Sequence, residues 1–320
     1  AFYIASMSAI ELLYLTALDN PAKNIAVMNA HAHPLLNELC SSVHCYQLQQ
    51  HFKPTYNALI QSGLRLDVTL QPEAAFDLIL ILPSKNRRQT QAWMADAMQR
   101  LNSGGTIMMA CANSHGAKGY ESALKKLMGN ISSSSKSKCR IFSARKTSEL
   151  NNQLADQWIA DGNAHNVDTL GLRSRPGLFS WDRPDSGSLL LLSQLPELSG
   201  TGMDLCCGYG LLSEQVLRRS EKIIRIHMIE ADHLALECAR TNCANWSDKT
   251  ELHWSDAAAD SLPGNMDWIL CNPPFHTGQN QDIELGQSII RNGCQSLKSG
   301  GTIYLVANRK LPYEKVLRSS

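Results

Sequence analysis

A chain of 320 residues, 43% hydrophobic and 18% charged, is long and apolar enough to bury two ordinary cores, and its composition excludes a disordered polymer. The formal net charge of +1 hides a split. Residues 1–150 carry 15 Lys/Arg against 9 Asp/Glu, whereas residues 151–320 carry 15 against 20. Ten cysteines without CxxC pairs and ten histidines without HExxH-like spacing predict buried thiols in a reducing cytosol, with neither a disulfide framework nor a metal.

In chain order, the apolar stretch from Ala1 to Leu18 is interrupted by Glu11 and has no basic segment before it. It predicts an amphipathic helix packed on the first domain, not a signal or membrane anchor. The segment Ile25–Leu36 has no glycine-rich loop. Phe76–Leu82 reads as a buried strand ending in Pro83, Gln89–Leu101 as a helix, and Gly104-Gly105 as a turn into a strand. Basic clusters follow at Lys85/Arg87/Arg88, Lys125/Lys126 and Lys136/Lys138/Arg140/Arg145/Lys146. Such clusters suit a polyanion, since each neutralised phosphate releases counterions, and solvated helix faces are the alternative. A Ser-rich run at Ser132–Ser135 and a strand at Cys139–Lys146 lead to a polar join at 147–170, which predicts domains at 1–150 and 151–320.

The second half repeats the grammar of the first. Met266-Asp267-Trp268-Ile269-Leu270-Cys271-Asn272-Pro273 matches Phe76–Pro83, and Leu297-Lys298-Ser299-Gly300-Gly301-Thr302-Ile303 matches Leu101–Ile107, with a helix predicted over Ile283–Leu297. Strand, loop, helix, Gly-Gly turn and strand, used twice, indicate α/β doubly wound sheets. The copies differ where chemistry would sit. Only the second has a Gly208-Tyr209-Gly210 loop, in a stretch from Met203 to Gly210 that reads as strand then tight turn before a helix from Leu211 to about Arg219, letting backbone approach a cofactor. Glu230 ends the strand Ile223–Ile229, 20 residues beyond Gly210, and suits two ribose hydroxyls. Asp204 leads the loop, with turn capping as its alternative role. Asp256-Ala257, at a third strand end, suits an adenine, and a solvated loop is the alternative. This set favours S-adenosylmethionine over a dinucleotide. Asn272-Pro273-Pro274-Phe275 supplies what an exocyclic amine on a flat ring requires: acceptors in the Asn272 side chain and the Pro273 carbonyl, and the Phe275 ring to stack on. Alone, the tetrapeptide reads equally well as a turn.

Together D-L-C-C-G-Y-G, Glu230, Asp256 and N-P-P-F-H resemble class I S-adenosylmethionine-dependent methyltransferases acting on an amino nitrogen. Pro176-Gly177-Leu178-Phe179-Ser180, Asp185-x-Gly187-Ser188 and Val306-Ala307-Asn308-Arg309-x-Leu311-Pro312-Tyr313 narrow the resemblance to bacterial ribosomal RNA guanine-N2-methyltransferases with tandem domains, most like those of the small subunit. The resemblance implies two tandem Rossmann-like class I methyltransferase domains, the first degenerate and RNA-binding. It also implies a cytoplasmic monomer acting on ribosomal RNA or the small ribosomal subunit. The implied site comprises Asn272, Pro273 and Phe275 for catalysis and Asp204, Cys206, Gly208, Gly210, Glu230, Asp256, Ala257 and Asn272 for the cofactor. Phe179, Pro274, Phe275, Lys85, Arg87, Arg88, Lys138 and Arg140 hold substrate, and no metal takes part. Cys206 stands where the family has its first loop glycine, and the second copy lacks a counterpart of the Cys139–Lys146 strand, through truncation or disorder. The same acceptor geometry also serves 23S guanine-N2, adenine-N6 and protein-glutamine methylation. A non-catalytic assembly factor and, distantly, a nicotinamide dehydrogenase are the remaining alternatives.

Overall fold

The computed structural model describes residues 7–167, 170–274, 280–308 and 311–319. The chain divides after Asn163 into two compact units. The first contains α1 (Ala9–Leu18), β1 (Asn24–Met28), α2 (Pro34–Ser42), β2 (Cys45–Gln49), α3 (Lys53–Gln61) and β3 (Phe76–Ile81). It continues with α4 (Arg87–Arg100), β4 (Leu101–Ala112), α5 (Ala117–Met128), β5 (Ser132–Lys136), β6 (Cys139–Arg145) and α6 (Asn152–Gly162). The sheet order is β2-β1-β3-β4-β6-β5, parallel through β4 and antiparallel beyond it. Alternation along β3 sends Ile79 and Ile81 into one core with α4, α5 and α6, and Leu78 and Leu80 into a second core with α1, α2 and α3. Burial on both faces is why the strand reads as an unbroken apolar run. Helix α4 begins two residues before the sequence predicts, because the Asn86 side chain accepts from Gln89 N at 3.1 Å. The Ser-rich run is strand β5, held by its antiparallel partner β6 despite its composition.

The second unit contains β7 (His165–Val167), β8 (Leu172–Ser174), α7 (Ser186–Gln194), β9 (Gly200–Leu205), α8 (Leu211–Arg219) and β10 (Ile223–Glu230). It ends with α9 (His233–Asn242), β11 (Thr250–Trp254), β12 (Met266–Cys271), α10 (Asn280–Gln295), β13 (Leu297–Leu305) and α11 (Tyr313–Ser319). Its main sheet, β11-β10-β9-β12-β13, is wholly parallel. Trp268 and Leu270 face a core built with α7, α8 and α9, while Ile269 and Cys271 face Ile289 of α10. Among the described residues this sheet has no counterpart of β5 and β6.

Strand register superimposes the two copies residue for residue. Met28 pairs with Ile81 as Leu205 pairs with Cys271, and with Gln49 as Leu205 pairs with Ile229. The third strand β11 is matched in the first copy by a single parallel bridge, Gln49↔Asp67. The predicted Gly-Gly turns lie within β4 and β13, where a register shift separates Phe76 from Leu78 and Met266 from Trp268. A Cβ on Gly105 would stand 3.0 Å from Phe76 O, and one on Gly301 would stand 2.7 Å from Met266 O, so only glycine lets these strands close up. The shared aspartates tie in the central strands. Asp77 Oδ2 accepts from Asn24 N at 3.0 Å, and Asp267 Oδ2 accepts from Thr201 N at 2.7 Å.

Candidate active site

The strand β9 delivers Asp204 beneath the loop that follows. Asp204 is fully buried, and its Oδ2 accepts from Ser213 N at 3.0 Å and Ser213 Oγ at 2.6 Å. It thereby caps α8, whose N-cap Gly210 has no side chain to do so. Burial, opposed by the Ser213 bonds, pushes its carboxyl up to about 6, and its Oδ1 has no partner among the described residues. Across the loop, Glu230 Oε2 accepts from Gly208 N at 2.8 Å, while Oε1 accepts from Ala231 N at 2.8 Å and Asp232 N at 2.9 Å. Burial raises this carboxyl to about 7 against those amide bonds. The two acids thus brace the loop from below and from the side.

Cys206 has φ 64°, a left-handed conformation that explains why glycine suits this position. Asn29, the matching residue of the first copy, has φ 57°. The backbone bend survives in both units, and the side chains around it differ. Gln50 stands at the place of Glu230 and donates through Nε2 to Asn29 Oδ1 at 3.1 Å and Ala30 O at 2.9 Å. An amide closes the first loop on itself, where the second has a titratable carboxyl. Gly210, φ 85°, lies with its missing Cβ 3.1 Å from Met228 Cε and 3.2 Å from Ala239, so it serves packing against α9 and not the cleft wall.

Asn272 follows β12, and its carboxamide is held at one end. Nδ2 donates to Asp185 Oδ2 and Ser188 Oγ, both at 2.9 Å. Asp185 is the N-cap of α7, accepting from Ser188 N at 2.8 Å, so helix initiation and amide orientation share one carboxylate. The Asn272 Oδ1 has no partner among the described residues. Asn272, Asp185, Ser188, Cys206, Gly208 and Phe179 line a single narrow cleft, with Phe179 61% exposed at its mouth. Buried Tyr209 also lines it, its hydroxyl unpaired among the described residues and raised to about 12 by burial and by Asp185. Burial pushes the Cys206, Cys207 and Cys271 thiols up, which keeps them neutral. Pro273 is buried and Pro274 exposed. Phe275 and His276 lie outside the described residues.

Asp256 and Ala257 follow β11 in a turn of their own. Asp256 Oδ1 accepts from Ala258 N at 3.0 Å, and α10 clamps the turn as Asn292 Nδ2 donates to Ala257 O and Asp260 O, both at 2.9 Å. Neither residue lines the Asn272 cleft. The sequence singled out Asp185 and Ser188 only as part of a resemblance, and did not find Asn292 or Asn242, which donates to Tyr209 O at 2.7 Å. The D-x-x-S helix-start pattern at 185–188 was the available signal.

The first unit has a larger cavity at the carboxyl ends of β1, β3 and β4, lined by Asn29, His31, Ser84, Lys85, His115 and Lys138 among others. It brings the predicted substrate residues Lys85 and Lys138 together. Arg87 and Arg88 are exposed in the first turn of α4. Arg140 departs from its expected role: it forms an ion pair with Glu121 of α5, whose carboxyl is held low, against burial, by a hydrogen bond from Ser133 and by Arg140.

Two family models cover nearly the whole chain: methyltransferase small domain N-terminal over residues 20–161, and methyltransferase small domain over residues 169–320. The chain belongs to the methyltransferase small-domain family. It is an α/β methyltransferase of two tandem Rossmann-like domains, and the family's small domain coincides with the unit that holds the Asn272 cleft. Among its relatives are the ribosomal RNA small subunit methyltransferases C of Salmonella paratyphi A and Salmonella typhi, each 28% identical over 281 residues, or 87% of this chain and 80% of the relative. A solved T. thermophilus 16S rRNA N2 methyltransferase, in complex with AdoMet and guanosine, matches 99% of this chain and 87% of its own at 22% identity, with a TM-score of 0.81. That likeness establishes the tandem fold. Among the described residues no helix is long and apolar enough to cross a membrane.

Proposed function

We propose that this methyltransferase transfers a methyl group from S-adenosylmethionine to the exocyclic N2 amine of a guanine in small-subunit ribosomal RNA. The observation that carries the reading is the one-sided anchoring of Asn272. Its Nδ2 is committed to Asp185 and Ser188, which turns Oδ1 out as a hydrogen-bond acceptor beside the left-handed Cys206. The names of the Salmonella and T. thermophilus relatives support the same choice of ribosomal RNA and guanine.

The residues present fit the cofactor. The bent 206–210 backbone allows close approach, Glu230 offers carboxyl oxygens at its edge, and the unpaired Asp204 Oδ1 and Tyr209 hydroxyl are polar atoms awaiting partners. The Asp256 turn provides a second acceptor at the neighbouring strand end. When bound, S-adenosylmethionine supplies an electrophilic methyl on a sulfonium.

Guanine N2 is a poor nucleophile because its lone pair is delocalised into the ring. Acceptance of its two N–H bonds by Asn272 Oδ1 and the Pro273 carbonyl favours the lone pair and aims it. Phe179 and Phe275 are proposed as the faces that receive the ring, each stacking contact worth roughly 1–3 kcal/mol. Held this way, N2 would take the methyl as its bond to the sulfonium sulfur gives way, and the N2 proton would then leave for solvent, so no strong base is required. Alignment supplies most of the acceleration. The amine must be unstacked to enter, as for other enzymes that modify a base. Lys85, Arg87, Arg88 and Lys138 of the first unit are proposed to hold phosphates, and ribosomal RNA places the enzyme in the bacterial cytoplasm.

Methylation of 16S rRNA from cells lacking the enzyme, with mass-spectrometric mapping of the product, tests the proposal. Wild-type protein should yield one N2-methylguanine, and Asn272→Ala should lower kcat by at least about a hundredfold, as for removal of one preorganised polar group at a reaction centre. Near-normal turnover by Asn272→Ala would falsify the mechanism.

A further inference from the structure

The sheet edge of the second unit carries a group of side chains that methyl transfer does not use. Strands β10 and β11 are parallel neighbours, with His227 directly opposite Glu251. Residues two apart on a strand share a face, so His253 lies on the same side as Glu251. The result is two imidazoles and a carboxylate converging from two strands. His227 Nδ1 and His253 Nε2 are 3.0 Å apart, and each lies 3.6 Å from a different Glu251 oxygen.

We infer that His227, Glu251 and His253 form a binding site for a divalent transition-metal ion of borderline softness, such as Zn2+. Metal–ligand distances of about 2.0–2.2 Å set a ligand–ligand edge of about 3.3 Å in a tetrahedral site. The observed separations of 3.0, 3.6 and 3.6 Å bracket that value, so an ion fits with shifts of a few tenths of an ångström. The side chains are 13% (His227), 26% (His253) and 46% (Glu251) exposed. They are therefore partly desolvated but reachable, and water can fill the fourth position. One competitor is present: Arg225 Nη1 donates to Glu251 Oε2 at 3.2 Å. An ion would share or displace that contact. Linear spacing concealed the cluster, because its members meet only through strand register. Filled, it would pin together the two strands whose ends present Glu230 and Asp256.

The test is titration of the reduced full-length protein with Zn2+ against a chromophoric chelator, together with the visible spectrum of the Co2+ form. One equivalent should bind to the wild type, be lost in His227→Ala and in His253→Ala, and survive in Cys45→Ser. Arg225→Ala should bind more tightly, since Glu251 loses its competing cation. The Co2+ spectrum, read on the wild type and so independent of any variant's folding, should show d–d bands without thiolate charge transfer. Absence of Zn2+ binding, equal binding by both histidine variants, weaker binding by Arg225→Ala, or a thiolate band would each overturn the assignment. Any of these would leave a simple imidazole hydrogen bond in place of a metal site.

Discussion

At Cys206 the backbone requires what the side chain resists. Its φ of 64° lies in a region where a Cβ crowds the neighbouring backbone, at a cost of about 1–3 kcal/mol for a residue other than glycine. Cysteine is small and half-buried, so the strain is partly offset by contact with the Met203–Ile269 core. Asn29 in the first copy shows a second solution, a residue type enriched in this region. Cys206→Gly should therefore change stability by less than about 1 kcal/mol, since relief of strain and loss of chain stiffness oppose one another. Cys206→Val, with a branched Cβ, should destabilise by about 2 kcal/mol or more. Urea unfolding of the three proteins checks the order, and a valine variant as stable as glycine would show that the strain is absent.

Within the strand–loop–helix elements, two buried acids give the second unit a pH dependence of defined sign. Asp204 and Glu230 titrate at about 6 and about 7, raised chiefly by burial, whereas in the unfolded chain such groups titrate near 4. Between these values the folded state holds protons that the unfolded state has released. The contribution is thus full below about pH 4 and lost as pH rises through about 7. Glu230→Gln should remove the larger part of that fall while leaving histidine effects common to both proteins. Urea midpoints from pH 5 to 8 should decline less steeply in the variant, and parallel curves would exclude the mechanism. These bracing roles are only half legible in the sequence. Spacing locates Glu230 at a strand end and Asp204 before the loop, because strand periodicity and glycine punctuation are local signals. Their partners are non-local: Ser213 reaches back to Asp204, and Asp185 reaches Asn272 across 87 positions. The same limit hid Asn292 and the β10–β11 histidines, and it made Arg140 look free when Glu121 neutralises it.

Across the whole molecule, one fold occurs twice with different side chains at the carboxyl ends of its strands. Register equivalence shows that the first unit keeps the sheet, the left-handed bend and the Asp77 tie, while Gln50 and Leu82 stand in place of Glu230 and Asn272. That unit has a cavity at the same end of its sheet, with exposed Lys85 and Lys138 on its wall. If those cations hold RNA phosphates, each contact releases about 0.7–0.9 counterion. The Lys85→Ala/Lys138→Ala double variant should then bind 16S rRNA fragments more weakly at low salt, with the slope of log K against log salt shallower by roughly 1.4–1.8. Its S-adenosylmethionine affinity should be unchanged, because the site proposed for that cofactor lies in the other unit. Arg140→Ala should leave the salt slope as it is and instead lower thermal stability, since Glu121 loses its ion-pair partner. Filter-binding titrations at several salt concentrations separate these outcomes, and an unaltered slope in the double variant would move the RNA surface away from this cavity.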